Sequence, residues 1–249
     1  MLKKFALLSA GIMLLGVVKT KAQNNDWFTR NIEGAAQIQI TYRSADINPL
    51  NQALNKDGIP SVNNNDVWFN LSMHHERHRW VWEDGLGLTP VATSTANNGN
   101  FKTHYNQYQI YGRIGYDVSQ NPNYKVYPFL GANFSAAVLN IEDKAREQAT
   151  SDFATELTNQ TASKTLYQPN FGIEAGVGFD YLIKVKSKQV DCFTIKRNIP
   201  IGVRVGYYFN TYASDWKIDN YGLANSPNGK QSAVFLSFNI GLGYEIQKP

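Results

Sequence analysis

From residue 231 to 246 the chain reads QSAVFLSFNIGLGYEI, with an apolar side chain at almost every second position. Val234, Leu236, Phe238, Ile240, Leu242, Tyr244 and Ile246 share one parity, while Phe235, Ser237, Asn239, Gly241, Gly243 and Glu245 share the other. Successive side chains of a β-strand point to opposite faces, so this period of two predicts a strand with one greasy face and one polar face. Such a strand is longer than the roughly five to six residues usual in globular sheets. It suits crossing a bilayer, which takes about 9 to 11 tilted residues.

The same alternation recurs upstream. Residues 34–42 set Ala36, Ile38, Ile40 and Tyr42 against Gln37, Gln39, Thr41 and Arg43, and 67–75 set Val67, Phe69, Leu71 and Met73 against Trp68, Asn70, Ser72 and His74. Residues 79–88 oppose Trp80, Trp82, Leu86 and Leu88 to Arg79, Val81, Glu83, Gly85 and Gly87. Residues 104–118, 124–140, 167–186 and 198–211 repeat the pattern, with Phe129 and Leu139 breaking parity in the second of these. With the C-terminal segment this predicts eight strands. The connections alternate: 44–65, 89–103, 141–166 and 212–230 are long, while 76–78, 119–123 and 187–197 are short. An up-and-down barrel puts alternate connections on opposite rims, and outer-membrane barrels combine short periplasmic turns with longer extracellular loops. The fold class expected is all-β, a closed antiparallel up-and-down transmembrane β-barrel.

Composition changes the picture at the N-terminus. Lys3 and Lys4 precede an apolar run from Phe5 to Val18, and Thr20 and Ala22 are small residues before a cut at Gln23. This reads as a secretory signal peptide over 1–22, leaving a barrel domain over 23–249. Of 24 Lys and Arg, four lie in that leader, so the remainder balances the 20 Asp and Glu. The basic pI therefore belongs to export and implies no nucleic-acid partner. A lone Cys192 excludes an internal disulfide. No apolar run outside the leader reaches the roughly 18 residues of a membrane helix, so only β-structure carries this chain across a membrane, and in lipid a sheet must close to pair its backbone.

Alternation alone does not say whether the greasy face lines the barrel, as in a lipocalin-like carrier, or coats it. Glycines on the polar face (Gly115, Gly131, Gly172, Gly176, Gly178, Gly202, Gly206, Gly241, Gly243) favour a crowded polar interior. Aromatics near the strand ends of the apolar face, such as Tyr42, Tyr116, Tyr181 and Tyr244, favour interfacial girdles. The greasy face is thus assigned to lipid, and the location to the outer membrane.

Asn239, Gly241, Tyr244 and Ile246 resemble the C-terminal assembly signal of bacterial outer-membrane barrels, with three extra residues, Gln247 to Pro249, beyond it. With the leader ending in Lys21-Ala22-Gln23, the chain resembles the porin-family or outer-membrane β-barrel proteins of Bacteroidetes-type bacteria. The resemblance implies insertion by the barrel-assembly machinery and contact with outer-membrane lipid and lipopolysaccharide.

The inward face is expected to hold a polar network of Arg43, Arg79, Glu83, Arg113, Asp117, Glu174, Asp180 and Arg204, with Glu33, Lys184 and Glu245 near it. Eight strands leave an interior just wide enough for side chains, so these groups are expected to bond one another and fill the lumen. A narrow channel is the alternative. His74, His75 and His78 flank Glu76 in a short turn, but His-Glu-x-x-His spacing is absent and a strand sends neighbouring side chains apart; no metal site or cofactor is expected. A lipid-modifying enzyme is a further alternative, with His104 on the outer rim and Ser94 and Asp66 as conceivable partners, although no spacing supports a triad. No catalytic residue is assigned.

Two long loops carry helical signals. Asn48 caps and Pro49 opens a short helix with Leu50, Ala53 and Leu54 on one side and Gly58 as its stop. In 141–164, Ala145, Ala149, Phe153 and Leu157 fall four apart and Glu142 is spaced to pair with Arg146. The reading is a barrel with a structural or interaction role in the cell envelope, its extracellular loops forming the contact surface for an envelope or extracellular protein.

Overall fold

The structure, a computed structural model, describes residues 32–44, 46–63, 67–90, 95–144, 163–190, 193–227 and 231–247. Eight of its strands form a ring: β1 (Ile32–Arg43), β2 (Val67–Arg77), β3 (Trp80–Leu88), β5 (Phe101–Tyr116), β6 (Tyr124–Asp143), β7 (Ser163–Val190), β8 (Phe193–Ala213) and β11 (Ala233–Gln247). Each pairs antiparallel with its neighbours in the chain. β1 meets β11 from Ile32↔Ile246 to Arg43↔Phe235, and β7 meets β8, so no ring strand is left with an open edge. Three short strands decorate the long-loop end: β4 (Thr95–Asn97) beside β5, and the hairpin of β9 (Lys217–Ile218) and β10 (Tyr221–Gly222), which joins β7 at Tyr167↔Lys217.

Outside, the alternation yields an apolar belt. Ile38, Ile40, Leu71, Ile110, Leu130, Val205 and Phe238 are all exposed, while Gln37, Gln39, Asn70, Gln109, Asn133, Arg204 and Asn239 are buried inside. A ring of exposed Ile, Leu and Phe around buried amides and charges reverses a soluble barrel. It is the arrangement of an outer-membrane β-barrel, in which lipid is the solvent.

The turns differ from expectation in two places. The β2–β3 turn is His78-Arg79, both at positive φ (53° and 71°), because Glu76 and Arg77 continue the ladder to Val81 and Trp80. The segment 187–197 is mostly ladder, with β7 and β8 paired through Val190↔Phe193 and a register shift between Val185 and Lys188. Cys192 and the leader lie outside the described residues.

At the long-loop end, helix α1 (Asn48–Lys56) lies over the barrel mouth. Pro49 sits in its first turn, and Gly58 follows its end at φ +71°, a conformation that favours glycine. Its N-cap is Ile47 instead of Asn48: Asp46 accepts from the Asn48 amide at 2.9 Å, leaving the Asn48 side chain out of the cap. Leu50 and Leu54, four apart, are buried with Ile47, Val62, Tyr105, Ala137, Leu139 and Trp216, whereas Ala53 is exposed. This apolar cluster explains Leu139. Beyond the belt the inner side of β6 faces the lid's own core, and an apolar residue there is buried by protein. In the second proposed helix, Glu142 lies in β6 and meets Lys102 at 3.4 Å and His104 at 3.5 Å; Arg146 and the rest of that helix fall outside the described residues.

Candidate functional site

Side chains from all eight ring strands meet across the lumen. Arg204 on β8 has no exposed surface. Its Nε donates to Glu83 Oε2 at 2.9 Å, its Nη2 to Gln37 Oε1 at 3.0 Å and its Nη1 to Asn239, while Asp180 lies 3.5 Å away. Arg113 on β5 donates from Nε to Glu174 Oε2 and from Nη1 to Glu83 Oε1, both at 2.8 Å. Glu83 thus takes one arginine on each oxygen and also accepts from Gln39 Nε2 at 2.8 Å. Asp180 accepts from Tyr127 Oη at 2.7 Å and Asn239 Nδ2 at 2.9 Å.

Neutral groups extend the network. Asn133 Nδ2 donates to Glu174 and Gln109, Gln109 Nε2 donates to Asn70, Asn70 Nδ2 to Thr41, and Thr41 Oγ1 to Ser237. Arg43 adds a third cation toward the long-loop end. Its Nη1 donates to Gln109 at 3.3 Å and its guanidinium lies between the rings of Trp68 (4.2 Å) and Tyr208 (4.6 Å). Arg43, Arg113 and Arg204 match Glu83, Glu174 and Asp180 in charge. Buried charges are tolerated when paired and hydrogen-bonded in this way, and removing one member leaves another stranded.

The lumen is less uniformly polar than the sequence reading holds. Val81, Tyr127, Phe129, Tyr208 and Phe235 form a buried cluster within it, so Phe129, a break in parity on sequence, is an inward ring. The inward glycines make room for these rings. A Cβ at Gly178 falls 2.5 Å from the Tyr127 ring, and one at Gly172 falls 2.2 Å from that of Tyr208. Arg113 lies over Tyr111 at 4.3 Å and Phe129 at 5.3 Å, so the rings also carry the cation.

Below the arginines, toward the short-turn end, Lys125 bridges Glu33 and Glu76. A cavity of about 20 Å³ beside Lys125 is lined by Glu33, Gln37, His74 and Asp180, room for about one water. Beyond it a vestibule of about 760 Å³ opens at the rim, where Lys184 and Glu245 lie.

Not every residue expected in the network is in it. Arg79, carried to the rim by its left-handed turn, donates to the Asp117 carbonyl at 2.8 and 2.6 Å and lies over the outward ring of Tyr116. Asp117 caps the next turn, accepting from Ser119 and Val126. Of the C-terminal pattern, Asn239 is bonded into the lumen, Gly241 packs against Gln37, and Tyr244 lies over Gly34. Lys125 and Glu76, both charged, escape the sequence pattern at the short-turn end, and other members missed on sequence are neutral: Gln37, Gln39, Asn70, Gln109, Asn133 and Ser237. Parity marked them, but they carry no charge to single them out. His74 points inward beside Tyr127, His75 points outward, and His78 occupies the turn. His104 Nδ1 lies 2.9 Å from Thr95 Oγ1 and its Nε2 3.5 Å from Glu142; Ser94 and Asp66 fall outside the described residues. Among the described residues no group of three His, Cys, Asp or Glu side chains is placed to hold a metal ion.

No protein-family model matches the chain, and no curated protein does. Among solved structures it is similar to Ail, the attachment invasion locus protein of Yersinia pestis, with 15% identity over 86% of this chain and 97% of that one, at a TM-score of 0.37. It is also similar to Neisserial surface protein A (12% identity, 86% and 96% covered, TM-score 0.36). The outer membrane protease OmpT of Escherichia coli is a third such neighbour (8% identity, 87% and 96% covered, TM-score 0.34).

Proposed function

We propose that this chain is a non-conducting barrel of the bacterial outer membrane that serves the cell envelope as a structural and interaction protein. The observation that carries this reading is the bonded network from all eight strands, centred on Arg204, Glu83 and Arg113, with the α1 lid above it. An ion crossing the lumen must displace charge-assisted bonds in a space with little room for water, and eight-stranded barrels leave no more than that.

The contact surface on this reading is the long-loop end, which faces outward. There β5 and β6 rise past the belt, and their outer side changes from Tyr108 and Ile110 to Lys102, His104 and Glu142. Lipopolysaccharide or an envelope or extracellular protein is the class of partner that such a rim meets. The C-terminal pattern of Asn239, Gly241, Tyr244 and Ile246 supports delivery by the barrel-assembly machinery and a place among the porin-family barrels of Bacteroidetes-type bacteria. His104 lies on the outer rim with Thr95 on one ring nitrogen and Glu142 near the other.

Planar-bilayer recording with the refolded full chain tests this reading. The expected result is a membrane at baseline conductance after insertion. A steady conductance that R204A or E83A enlarges would establish the narrow channel in its place.

A further inference from the structure

The outward residues of β3 run Trp80, Trp82, Asp84, Leu86 and Leu88, and Asp84 is the middle one. At about 3.3 Å per residue and a tilt of about 40°, it lies roughly 10 Å in height from both Trp80 and Leu88, within a belt about 25 Å tall. It therefore faces lipid near mid-depth. Its side chain is 71% exposed, and it is the one acid on the apolar belt among the described residues. Carboxyl groups at that depth are costly and mark sites with partners.

Among the described residues of the monomer Asp84 has one ion pair, and it is long and exposed. His75, diagonal to Asp84 across the β2–β3 ladder, places Nε2 3.9 Å from Asp84 Oδ1, outside hydrogen-bond reach, with half of its own side chain exposed. On the other side Asp84 pairs in register with Gly112, where a Cβ would have nothing within 4 Å. Asp84 also lines a shallow apolar groove with Ala36, Leu71, Met73, Leu86 and Ile110. An acid, an imidazole and a notch thus share one patch of the lipid-facing wall.

We infer that this patch is a lateral interface with a second copy of the chain, in which His75 of each copy meets Asp84 of the other. A two-fold axis along the membrane normal makes such contacts reciprocal. The surface is self-complementary because it carries both the acceptor and the donor, and the open space at Gly112 admits the entering ring. A lipid headgroup does not reach this depth. A different protein that offers only a cation would satisfy Asp84 and leave His75 in lipid.

The test uses the full chain with Cys192 replaced by Ser. Two differently tagged versions, H75C and D84C, are co-expressed, and outer membranes are oxidised with copper phenanthroline. The expected product is a mixed H75C–D84C dimer, formed at least tenfold more than either homologous pair. Sedimentation of the unsubstituted protein in bicelles is expected to give a dimer, and D84L a monomer that still shows the heat-modifiable gel shift of a folded barrel. A monomer in both cases overturns the proposal, as does a dimer undiminished by D84L or exclusive capture of another protein. D84N, which keeps the shape of the side chain, serves should D84C fail to fold, and an undiminished dimer in D84N likewise counts against the His75–Asp84 contact.

Discussion

Arg204 and Glu83 bond at 2.9 Å from strands that stand diametrically opposite in the ring, four strands apart by either route. A contact between neighbouring strands adds to a ladder that exists already. This one spans the lumen and fixes the shape of the closed ring, because its length is set only when all eight strands are in register. Lipid supplies no hydrophobic drive toward the interior of such a barrel, so the polar network holds its inner face together.

Removing Arg204 alone is expected to be costly for a reason that a second change relieves. R204M strands Asp180, which keeps Tyr127 and Asn239 but loses its cation. Breaking a buried pair from one side costs about 3–5 kcal/mol, whereas replacing both members is often near neutral. Equilibrium urea unfolding in lipid vesicles should therefore show R204M destabilised by about that amount, and R204M/D180N should recover part of the loss. A double variant no more stable than the single one would rule this account out.

The inward glycines make a sharper prediction about shape. A Cβ at Gly176 falls 2.4 Å from the Val205 carbonyl oxygen and 2.8 Å from the Phe129 ring. The carbonyl cannot retreat without opening the β7–β8 ladder, so G176A is expected to lose about 1–3 kcal/mol. Gly112 has open space on the lipid side, and G112A is expected to be neutral or to gain up to about 1 kcal/mol from reduced chain entropy. The pair, compared as detergent-solubilised monomers by urea midpoint, separates packing from strand propensity.

The closed ring and the direction of its greasy face were legible because period-two alternation survives in all eight strands, and lipid demands it. What failed to show has local causes. Arg79 had inward parity, yet the turn that carries it takes positive φ and moves it to the rim. Leu139 broke parity because β6 leaves the belt there, and alternation carries no mark of where lipid ends. Gln39 and Asn133 matter as bridges to Glu83 and Glu174, a role set by convergence of distant strands and invisible in composition. Asp84 stood on the greasy face in plain view, but one acid among apolar residues reads as noise until its depth is known.

The lid should open independently of the barrel. Leu50 and Leu54 hold α1 against Tyr105, Leu139 and Trp216, none of which belongs to the arginine network. Truncating a buried leucine to alanine costs about 2–5 kcal/mol, here charged to the local opening of the lid. L50A and L54A are thus expected to make residues 46–63 susceptible to protease added to intact cells, while the heat-modifiable gel shift is unchanged. Loss of that shift would mean the lid helps close the barrel itself.

The tryptophans report directly on which face meets lipid. Trp80 and Trp82 are exposed on the belt, Trp68 is fully buried beside Arg43, and Trp216 lies beneath the lid. Variants that retain one tryptophan each, refolded into vesicles of brominated phosphatidylcholine, should divide accordingly. Trp82 emission is expected to fall severalfold, because bromine atoms on the acyl chains contact its ring. Trp68 emission should change little, since its ring is fully buried on the inner side of the β-sheet wall, away from the acyl chains. A soluble carrier with the same alternation would give no quenching at either position, and a barrel with its faces reversed would give the opposite ranking, so the comparison discriminates among all three arrangements in one measurement.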